Sequence, residues 1–406
     1  MCYIIFFVLV RTRKIHIYGP LAHLVEHLTL NQGVRGSSPR RPTHKSIGFA
    51  DKAAGSVFFL YKCNCRMFVV SFKGEKMRYE KLIATEDTTQ MYEAWADYRN
   101  QLTCLVYECV DNYYRKSYLS RAGKLRDDEF CLDKELEIAG QRPVIAIWGA
   151  GNCSDLDLRQ LSRIAKLVLI DRELERTKRA RDRYGLSETE CQCIDLGFWE
   201  VYEEEERFFA DLLEHGADDA HLAQYLSSLE RTMVMQKEDM KGIEKLFDFS
   251  VVAGLASQLN ARFAALLHIY GRNVKTMPFV TDSLNQMNES AAYQLYKMIR
   301  LTTRNACFCC NELLAGGADK EAEFLEMVKN RSEIYEEAFT NGGNCNVSER
   351  CTVAGSREFL RVIEEGNRIE EIKMMHRAGL IWPFTTEKHY FMDVLMFEII
   401  NKKNKY

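Results

Sequence analysis

Residues 143–158 read PVIAIWGAGNCSDLDL, and the fold of the chain follows from this stretch. Val144 to Trp148 is a short apolar run of the kind that forms a strand buried on both faces. Gly149 and Gly151 follow at once, and glycine lets the backbone turn sharply where a side chain would collide with a ligand. A helix after such a turn directs its free N–H groups toward the bound molecule.

Two further apolar runs end in an aspartate. Leu167 to Ile170 predicts a second strand, and Asp171 follows it, 22 positions after Gly149. A carboxylate at that place can accept hydrogen bonds from both hydroxyls of a ribose. The third run, Cys191 to Ile194, ends in Asp195. Together these elements predict a site for a nucleoside-type cofactor, whereas a chance Gly-x-Gly turn that only joins two elements is the alternative.

Strands and helices continue to alternate along the chain. Asp248 to Gly254 predicts a fourth strand, Ala306 to Asn311 a fifth and Phe391 to Ile400 a last one, with Trp382 to Phe384 as its partner. Intervening helices are predicted at Arg172–Tyr184, Phe263–Tyr270, Ser283–Thr302 and Glu321–Phe339. This alternation predicts an α/β fold with a Rossmann-like, mostly parallel sheet, helices on both faces and an antiparallel C-terminal edge strand.

The sequence predicts three regions. Residues 77–140 form a helical N-terminal region, because apolar residues recur at helical spacing from Met91 to Cys109. Tyr113 to Glu137 is charged and irregular, and reads as a lid over the cofactor or a linker. Residues 141–406 form the cofactor-binding domain, with a helical insertion at about 198–247 that is much longer than a usual connection.

The first 76 residues read differently from the rest. Gly19 to Thr43 resembles a transfer-RNA gene translated in frame, and Lys73 to Met77 can be encoded by a ribosome-binding site followed by a start codon. We therefore interpret residues 1–76 as a non-native or disordered extension and expect translation to begin at Met77. A genuine basic, flexible extension is the alternative.

Charge also separates the two parts. Residues 1–76 carry 12 Lys and Arg against 3 Asp and Glu, a net charge of +9, and the remaining 330 residues carry 43 against 55, a net charge of −12. An acidic body repels phosphate backbones, which argues against a long duplex nucleic acid as partner and favours a small-molecule or protein acceptor. The sequence does not indicate the oligomeric state.

The cysteines and the first residues bear on the compartment. Cys307 and Cys310 form a lone Cys-x-x-Cys, but an extended strand directs these two side chains to opposite faces, which predicts buried thiols and no metal site. The apolar run from Cys2 to Val10 is too short to span a bilayer and lacks the preceding basic residues of a secretory signal. We expect a cytoplasmic protein without a membrane partner.

The glycine turn and its two strand-end acids resemble the class I S-adenosylmethionine-dependent methyltransferases, loosely over residues 141–400. The resemblance implies S-adenosylmethionine as cofactor, with the first loop at its methionine part, the second-strand acid on the ribose and the third-strand acid on the adenine. Carried over position by position, the implied contacts are Gly149, Ala150, Gly151, Asn152, Asp171, Arg172, Asp195, Leu196, Gly254 and Leu255. Trp148 departs from the family motif, which often has an acidic residue before the first glycine.

Two other function classes stay open. An NAD(P)-binding oxidoreductase also uses Gly-x-Gly and a ribose acid, but it needs a small third residue where this chain has Ser154. A non-catalytic regulatory protein that binds a nucleoside cofactor is the other alternative. No catalytic residue is singled out, because Asp195, Ser257, Asn311 and Glu312 all lie at predicted strand ends.

The start-site interpretation has a direct test. N-terminal sequencing of natively produced protein is expected to read from Met77 onward. A peptide derived from residues 19–43 in the same material would contradict the interpretation.

Overall fold

The computed structural model describes residues 3–7, 58–63, 66–71, 91–122, 131–132, 134, 136, 142–196, 199, 201, 203–235, 244–329 and 352–400. The chain divides into two compact units, Met1–Lys81 and Leu82–Tyr406. No helix in the described part of the chain is both long and apolar enough to cross a membrane.

The first unit contains a small antiparallel sheet. Tyr3–Phe7 pairs with Phe58–Cys63, which in turn pairs with Arg66–Ser71. The segment that resembles a translated transfer-RNA gene, residues 19–43, and the expected start at Met77 lie outside the described residues. The interpretation of this region therefore stays a prediction.

The second unit is built on a seven-stranded sheet. Its strands are β1 Val144–Trp148, β2 Lys166–Ile170, β3 Cys191–Ile194, β4 Phe247–Ala253, β5 Thr303–Gly317, β6 Ile372–Trp382 and β7 Lys388–Ile399. They lie in the order β3-β2-β1-β4-β5-β7-β6. The first five strands are parallel to one another, and β7 is antiparallel to both β5 and β6. The predicted α/β fold with a mostly parallel sheet and an antiparallel edge is confirmed.

The C-terminal strands differ in detail from the prediction. The last strand in the chain, β7, lies second from the edge, and β6 forms the edge itself. β6 begins at Ile372, upstream of the expected partner Trp382–Phe384, of which only Trp382 belongs to the strand. Mixed polar and apolar residues concealed this strand, because Arg377 and His376 interrupt the apolar run.

Eight helices have both ends within the described ranges. They are α1 Ala96–Ala122, α2 Leu158–Ile164, α3 Leu174–Arg183, α4 Glu203–Glu214, α5 Asp219–Met235, α6 Ala261–Ile269, α7 Pro278–Thr302 and α8 Ser356–Arg368. Residues 321–329 are also helical. The sequence did not predict α8. The remainders of the predicted insertion and of the Glu321–Phe339 helix, residues 236–243 and 330–339, lie outside the described residues.

The prediction of an irregular segment from Tyr113 onward is wrong as far as residue 122, because α1 continues to Ala122. Val110 is buried, and Tyr113 and Tyr114 both contact the Phe249 ring, with Tyr113 at 5.3 Å between centroids. These contacts hold the last turns of the helix on the sheet. Charged residues next to them conceal the helical spacing of the apolar residues in the sequence. Residues 123–130 of the predicted lid or linker lie outside the described residues.

The sheet separates two hydrophobic cores because successive strand residues face opposite sides. On one face, α1 and α2 pack against a set that includes Ile145, Ile147 and Phe308. On the other face, α7 and α8 pack against a set that includes Ala146, Trp148 and Cys309. Helices on both faces explain why the strand residues read as nearly continuous apolar runs.

One glycine joins α8 to the turn after β4. Gly355 precedes α8 with φ +83°, and its backbone N–H donates to Glu358 Oε2 at 2.7 Å. A methyl group on Gly355 would lie 2.4 Å from the carbonyl oxygen of Ala256, in the 3₁₀ turn Ala256–Gln258. Only glycine allows α8 to start this close to the turn.

Gly355→Ala is expected to lower the free energy of unfolding by about 3 kcal/mol or more, because left-handed strain adds to a clash with backbone atoms. Gly185→Ala is the matched control, since Gly185 has φ +60° and nothing within 4 Å of the added methyl group. The control is expected to lose about 1 kcal/mol. Urea unfolding of both variants measures the difference, and equal losses would contradict the packing argument.

Candidate functional site

The strand order reverses between β1 and β4, and we call the region at the carboxyl ends of these two strands the crevice. Open α/β sheets bind ligands at this kind of position. The loop after β1 contains three residues in the left-handed region, Gly149 at φ +65°, Gly151 at +48° and Cys153 at +43°. The Ala150 N–H donates to the carbonyl of Ile170 at 3.1 Å, which ties this loop to the end of β2.

The turns after β1 and β4 touch each other. A methyl group on Gly149 would lie 2.5 Å from Leu255 Cδ1, so the Leu255 side chain packs directly on the glycine. Gly254, with φ +59°, donates its N–H to the carbonyl of Cys310 at 2.9 Å and thereby ties the second turn to β5. Two of the segments predicted from the sequence, 149–152 and 254–255, are thus in contact.

Asp171 is linked to the glycine loop by its carboxylate. Oδ2 accepts the Gly151 N–H at 2.8 Å, and Oδ1 accepts the Glu173 N–H at 2.8 Å. Each carboxylate oxygen has a further lone pair, so both can accept a second hydrogen bond from a ligand. The two amides fix the orientation of the side chain at the carboxyl end of β2.

The other residues predicted to contact the cofactor differ in their exposure and in their partners. Asp195 follows β3 and is exposed, and Leu196 is partly buried against the core beneath α7 and α8. The Asn152 carbonyl accepts a hydrogen bond from Arg183 at 2.6 Å. Arg172 extends away from the loop, because its guanidinium donates to the carbonyl of Val201 and lies 3.9 Å from Glu206. The predicted cofactor contacts of these residues stay predictions.

Trp148, the departure from the family motif, is a core residue. It is buried between the sheet and the helices of the α7 and α8 face. Its Nε1–H donates to Ser250 Oγ at 3.1 Å, and that hydroxyl lies 2.7 Å from Thr303 Oγ1. The indole therefore fills apolar volume with its polar atom satisfied, and its side chain does not face the glycine loop.

A buried arginine of α1 contacts the loop, and the sequence analysis missed it. Arg99 donates from one guanidinium nitrogen to the carbonyls of Tyr92 and Ser154, at 2.7 and 3.1 Å, and its guanidinium lies 3.8 Å from the centre of the Tyr92 ring. The sequence could have predicted that Arg99 is buried, because it falls on the same helical stripe as Leu102 and Trp95. A charged residue on a buried stripe is a signal of a polar partner.

Asp155 carries a perturbed carboxyl group directly after this loop. Burial raises the pKa of Asp155 to about 6, and the nearby Glu312 carboxylate also raises this pKa, against the opposite effects of a backbone hydrogen bond and of Arg99. Perturbed carboxyl groups in a cleft are frequent at functional sites.

Glu312 of β5 is the second buried acid at the crevice. Its Oε1 accepts the Ser257 hydroxyl at 2.8 Å and its Oε2 accepts the Ser356 hydroxyl at 2.9 Å. Burial raises the pKa of Glu312, while the two serine hydrogen bonds lower it. A methyl group on Gly254 would lie 3.2 Å from Glu312 Oε1 and 3.6 Å from Trp382 Cζ3, so the acid and the indole meet at the turn after β4.

The fifth strand was predicted to end at Asn311, but β5 continues to Gly317, so Asn311 and Glu312 lie within the strand. Asn311 is buried and its side chain has no hydrogen-bond partner among the described residues. Cys307 and Cys310 lie in the cores of opposite faces, as predicted for an extended strand. Among the residues that the structure describes, no group of three or more His, Cys, Asp or Glu side chains is placed to hold a metal ion.

Comparisons with known proteins give no sequence relative. No family model matches the chain, and no curated protein matches it.

Solved structures similar to the chain include S-adenosylmethionine-dependent methyltransferases at low identity. One from Methanosarcina mazei is 9% identical, with 64% of this chain and 94% of that chain covered and a TM-score of 0.31. The N-methyltransferase NodS from Bradyrhizobium japonicum, with bound S-adenosyl-L-homocysteine, is 12% identical, with 72% and 100% covered and a TM-score of 0.27. Magnesium protoporphyrin IX methyltransferase from Synechocystis is 7% identical, with 79% and 100% covered and a TM-score of 0.29.

Asp155 is expected to make stability depend on pH. Because its folded-state pKa is about 6 against an ordinary value of 3.8, the folded protein keeps a proton that the unfolded chain loses between these values. The free energy of unfolding should therefore fall as pH rises through this window, by about 1–3 kcal/mol from this group. Asp155→Asn, which stays neutral, is expected to remove that part.

Denaturant unfolding at a series of pH values measures this effect. Asp182→Asn, on the exposed side of α3, is the control and is expected to keep the wild-type pH dependence. Identical pH dependence in Asp155→Asn and wild type would contradict the assignment.

Proposed function

We propose that the chain is an S-adenosylmethionine-dependent methyltransferase whose donor binds in the crevice between β1 and β4. The glycine turn after β1, the Asp171 carboxylate after β2, and Gly254 with Leu255 after β4 border this crevice. The donor supplies an electrophilic methyl group on a positively charged sulfur, which a nucleophile of the acceptor displaces in line.

The sign of the charge at the crevice carries the proposal. The carboxyl groups of Asp155 and Glu312 are buried or partly buried. Glu312 lies close enough to Asp155 to raise the pKa of Asp155. The guanidinium of Arg99 donates to the Ser154 carbonyl, and that of Arg183 donates to the Asn152 carbonyl. With Asp171 these carboxyl groups outnumber the two guanidinium groups, and an excess of carboxyl groups attracts a sulfonium and repels a pyrophosphate, which favours the methyl donor over a dinucleotide.

The geometry of the loop supports the same donor. The position that a dinucleotide fold fills with a small third residue is occupied by Ser154, which is buried and whose hydroxyl has no hydrogen-bond partner among the described residues. A pyrophosphate would need free backbone N–H groups at this point. The Gly151 N–H is already bonded to Asp171, whereas the donor carries no phosphate.

In this proposal the residues of the chain bind the methyl donor and fix its orientation. Asp171 would accept the ribose hydroxyls with the oxygen lone pairs that its two amide partners leave free, and Asp195 would accept the adenine amine. Leu255 would cover the donor beside the glycine turn. Holding donor and acceptor in line is the main contribution that methyl transfer needs from a protein.

Calorimetric titration tests the donor. S-Adenosylmethionine and S-adenosylhomocysteine are expected to bind the full chain, with NADH about 100-fold weaker or undetectable. Binding of NADH alone would support an oxidoreductase instead. Incubation with labelled donor and cell lysate is expected to transfer label to an acceptor, and binding without any transfer would favour the regulatory alternative.

Asp171→Asn is expected to weaken S-adenosylhomocysteine binding by about 10- to 100-fold, because charged hydrogen bonds to the ribose are each worth about 1.5–3 kcal/mol. Asp182→Asn is the control, with wild-type affinity expected. Thermal unfolding shows whether both variants fold. Wild-type affinity in a folded Asp171→Asn variant would show that the ribose assignment is wrong.

A further inference from the structure

The helical insertion contains an acidic run at the start of α4, and one member of this run is buried. Glu203 and Glu204 are exposed, whereas Glu206 is 3% exposed. Each carboxylate oxygen of Glu206 faces a different arginine. Oε2 lies 2.8 Å from Arg262 Nη1, and Oε1 lies 3.9 Å from Arg172 Nη2. A buried carboxylate needs such partners, because burial of an unpaired charge is costly.

The two arginines belong to the segments on either side of the glycine loop. Arg172 directly follows Asp171 at the end of β2, and Arg262 lies in the first turn of α6, which continues the turn after β4. β2 and β4 are the two neighbours of β1 in the sheet. Glu206 therefore joins the two segments that border the crevice.

Core contacts fix the start of the insertion on the β4 side. Trp199 Nε1–H donates to Asn260 Oδ1 at 2.9 Å, and both residues are buried. Phe209 of α4 packs edge-on against Phe263 of α6, with 5.2 Å between the ring centroids. Together with the ion pair between Glu206 and α6, these contacts make the first part of the insertion and α6 one packed unit. The position of the Glu206 carboxylate is thus set by the core.

On the β2 side, Arg172 makes the link. Its guanidinium donates to the carbonyl of Val201 and faces Glu206. These two contacts hold the guanidinium away from Asp171, the residue before it, whose carboxylate accepts two backbone N–H groups. The other lone pairs of that carboxylate therefore stay available for a ligand.

We propose that Glu206 is a positioning residue for the methyl donor. Through Arg172 it fixes Asp171 where the Asp171 carboxylate receives the ribose hydroxyls. This inference rests on the proposed function, and it adds that the helical insertion sets the affinity for the ribose part of the donor. Glu206 acts without touching the donor, because its own carboxylate oxygens face the two arginines.

Glu206→Gln tests the proposal by ribose recognition. Calorimetry on the full chain compares S-adenosylhomocysteine with its 2′-deoxy analogue, which lacks one ribose hydroxyl. The wild-type protein is expected to prefer S-adenosylhomocysteine at least about tenfold, because the analogue loses a hydrogen bond to a carboxylate. Glu206→Gln is expected to weaken binding of S-adenosylhomocysteine at least about fivefold and binding of the analogue less than about twofold, since only the ribose contact depends on Asp171.

The two ligands separate a positioning role from a merely structural one. An equal loss of affinity for both ligands would show general loosening of the site and would overturn the proposal. Wild-type preference in a folded Glu206→Gln variant would overturn it as well, and thermal unfolding shows whether the variant folds. If the wild-type protein does not bind S-adenosylhomocysteine, the proposed function fails. If the wild-type protein binds it with the ribose preference and Glu206→Gln keeps that preference, this inference alone fails.

Glu230→Gln is the matched control. Glu230 is a buried acid of the same insertion, in α5, and it accepts the hydroxyl of Ser290 in α7 at 2.6 Å. Because this contact joins the insertion to α7 and not to the segment after β2, the variant is expected to keep the wild-type affinity for both ligands. Loss of the ribose preference in this control would contradict the specific role of Glu206.

Arg172→Met provides a second variant in case Glu206→Gln does not fold. The Arg172 side chain is 38% exposed, and its removal leaves the pair between Glu206 and Arg262 in place. This variant is expected to lose the ribose preference to the same extent, and wild-type preference in it would overturn the proposal. Glu206→Gln added to Arg172→Met is expected to cause no further loss, because Glu206 acts through Arg172. A further loss as large as that of Glu206→Gln alone would contradict this order of action.

Discussion

The contact between Gly149 and Leu255 is the constraint on which the crevice depends. Neighbouring strands β1 and β4 continue into turns that run to opposite sides, and these turns meet where a single side chain rests on a bare glycine. A larger residue at Gly149 or at Gly254 would separate the turns or rotate their backbones out of the left-handed region. Backbone hydrogen bonds hold the two turns around this contact, from Ala150 to the end of β2 and from Gly254 to Cys310 of β5.

The two faces of the sheet differ in composition near the candidate site. The face under α7 and α8 is packed with apolar side chains and absorbs Trp148 into its core. The opposite face, under α1, is packed equally densely near the strand centres but becomes acidic and aromatic at the carboxyl ends, where Glu312 and Trp382 lie. Alternation along β5 alone places Asn311 on one side of the sheet and Glu312 on the other, so one strand contributes to both faces.

Local pattern was sufficient for the parallel strands of the sheet and insufficient for the elements that bring Trp382 and Ser356 to Glu312. The runs before Gly149 and Asp171 are short, apolar and bounded by turns, so their strands and the α/β fold were predictable. The extended α1, the strand β6 and the helix α8 were not, because contacts with residues distant in sequence stabilise them. Trp382 and Ser356 reach Glu312 only through those elements, so no spacing in the sequence connects them.

Burial of acids at the crevice is costly, and the structure reduces that cost with specific partners. Ser257 and Ser356 bond Glu312, and Arg99 lowers the pKa of Asp155, yet burial still raises both pKa values. Hydrogen bonds without a full counter-charge leave a cleft that a positive ligand stabilises more than a neutral one.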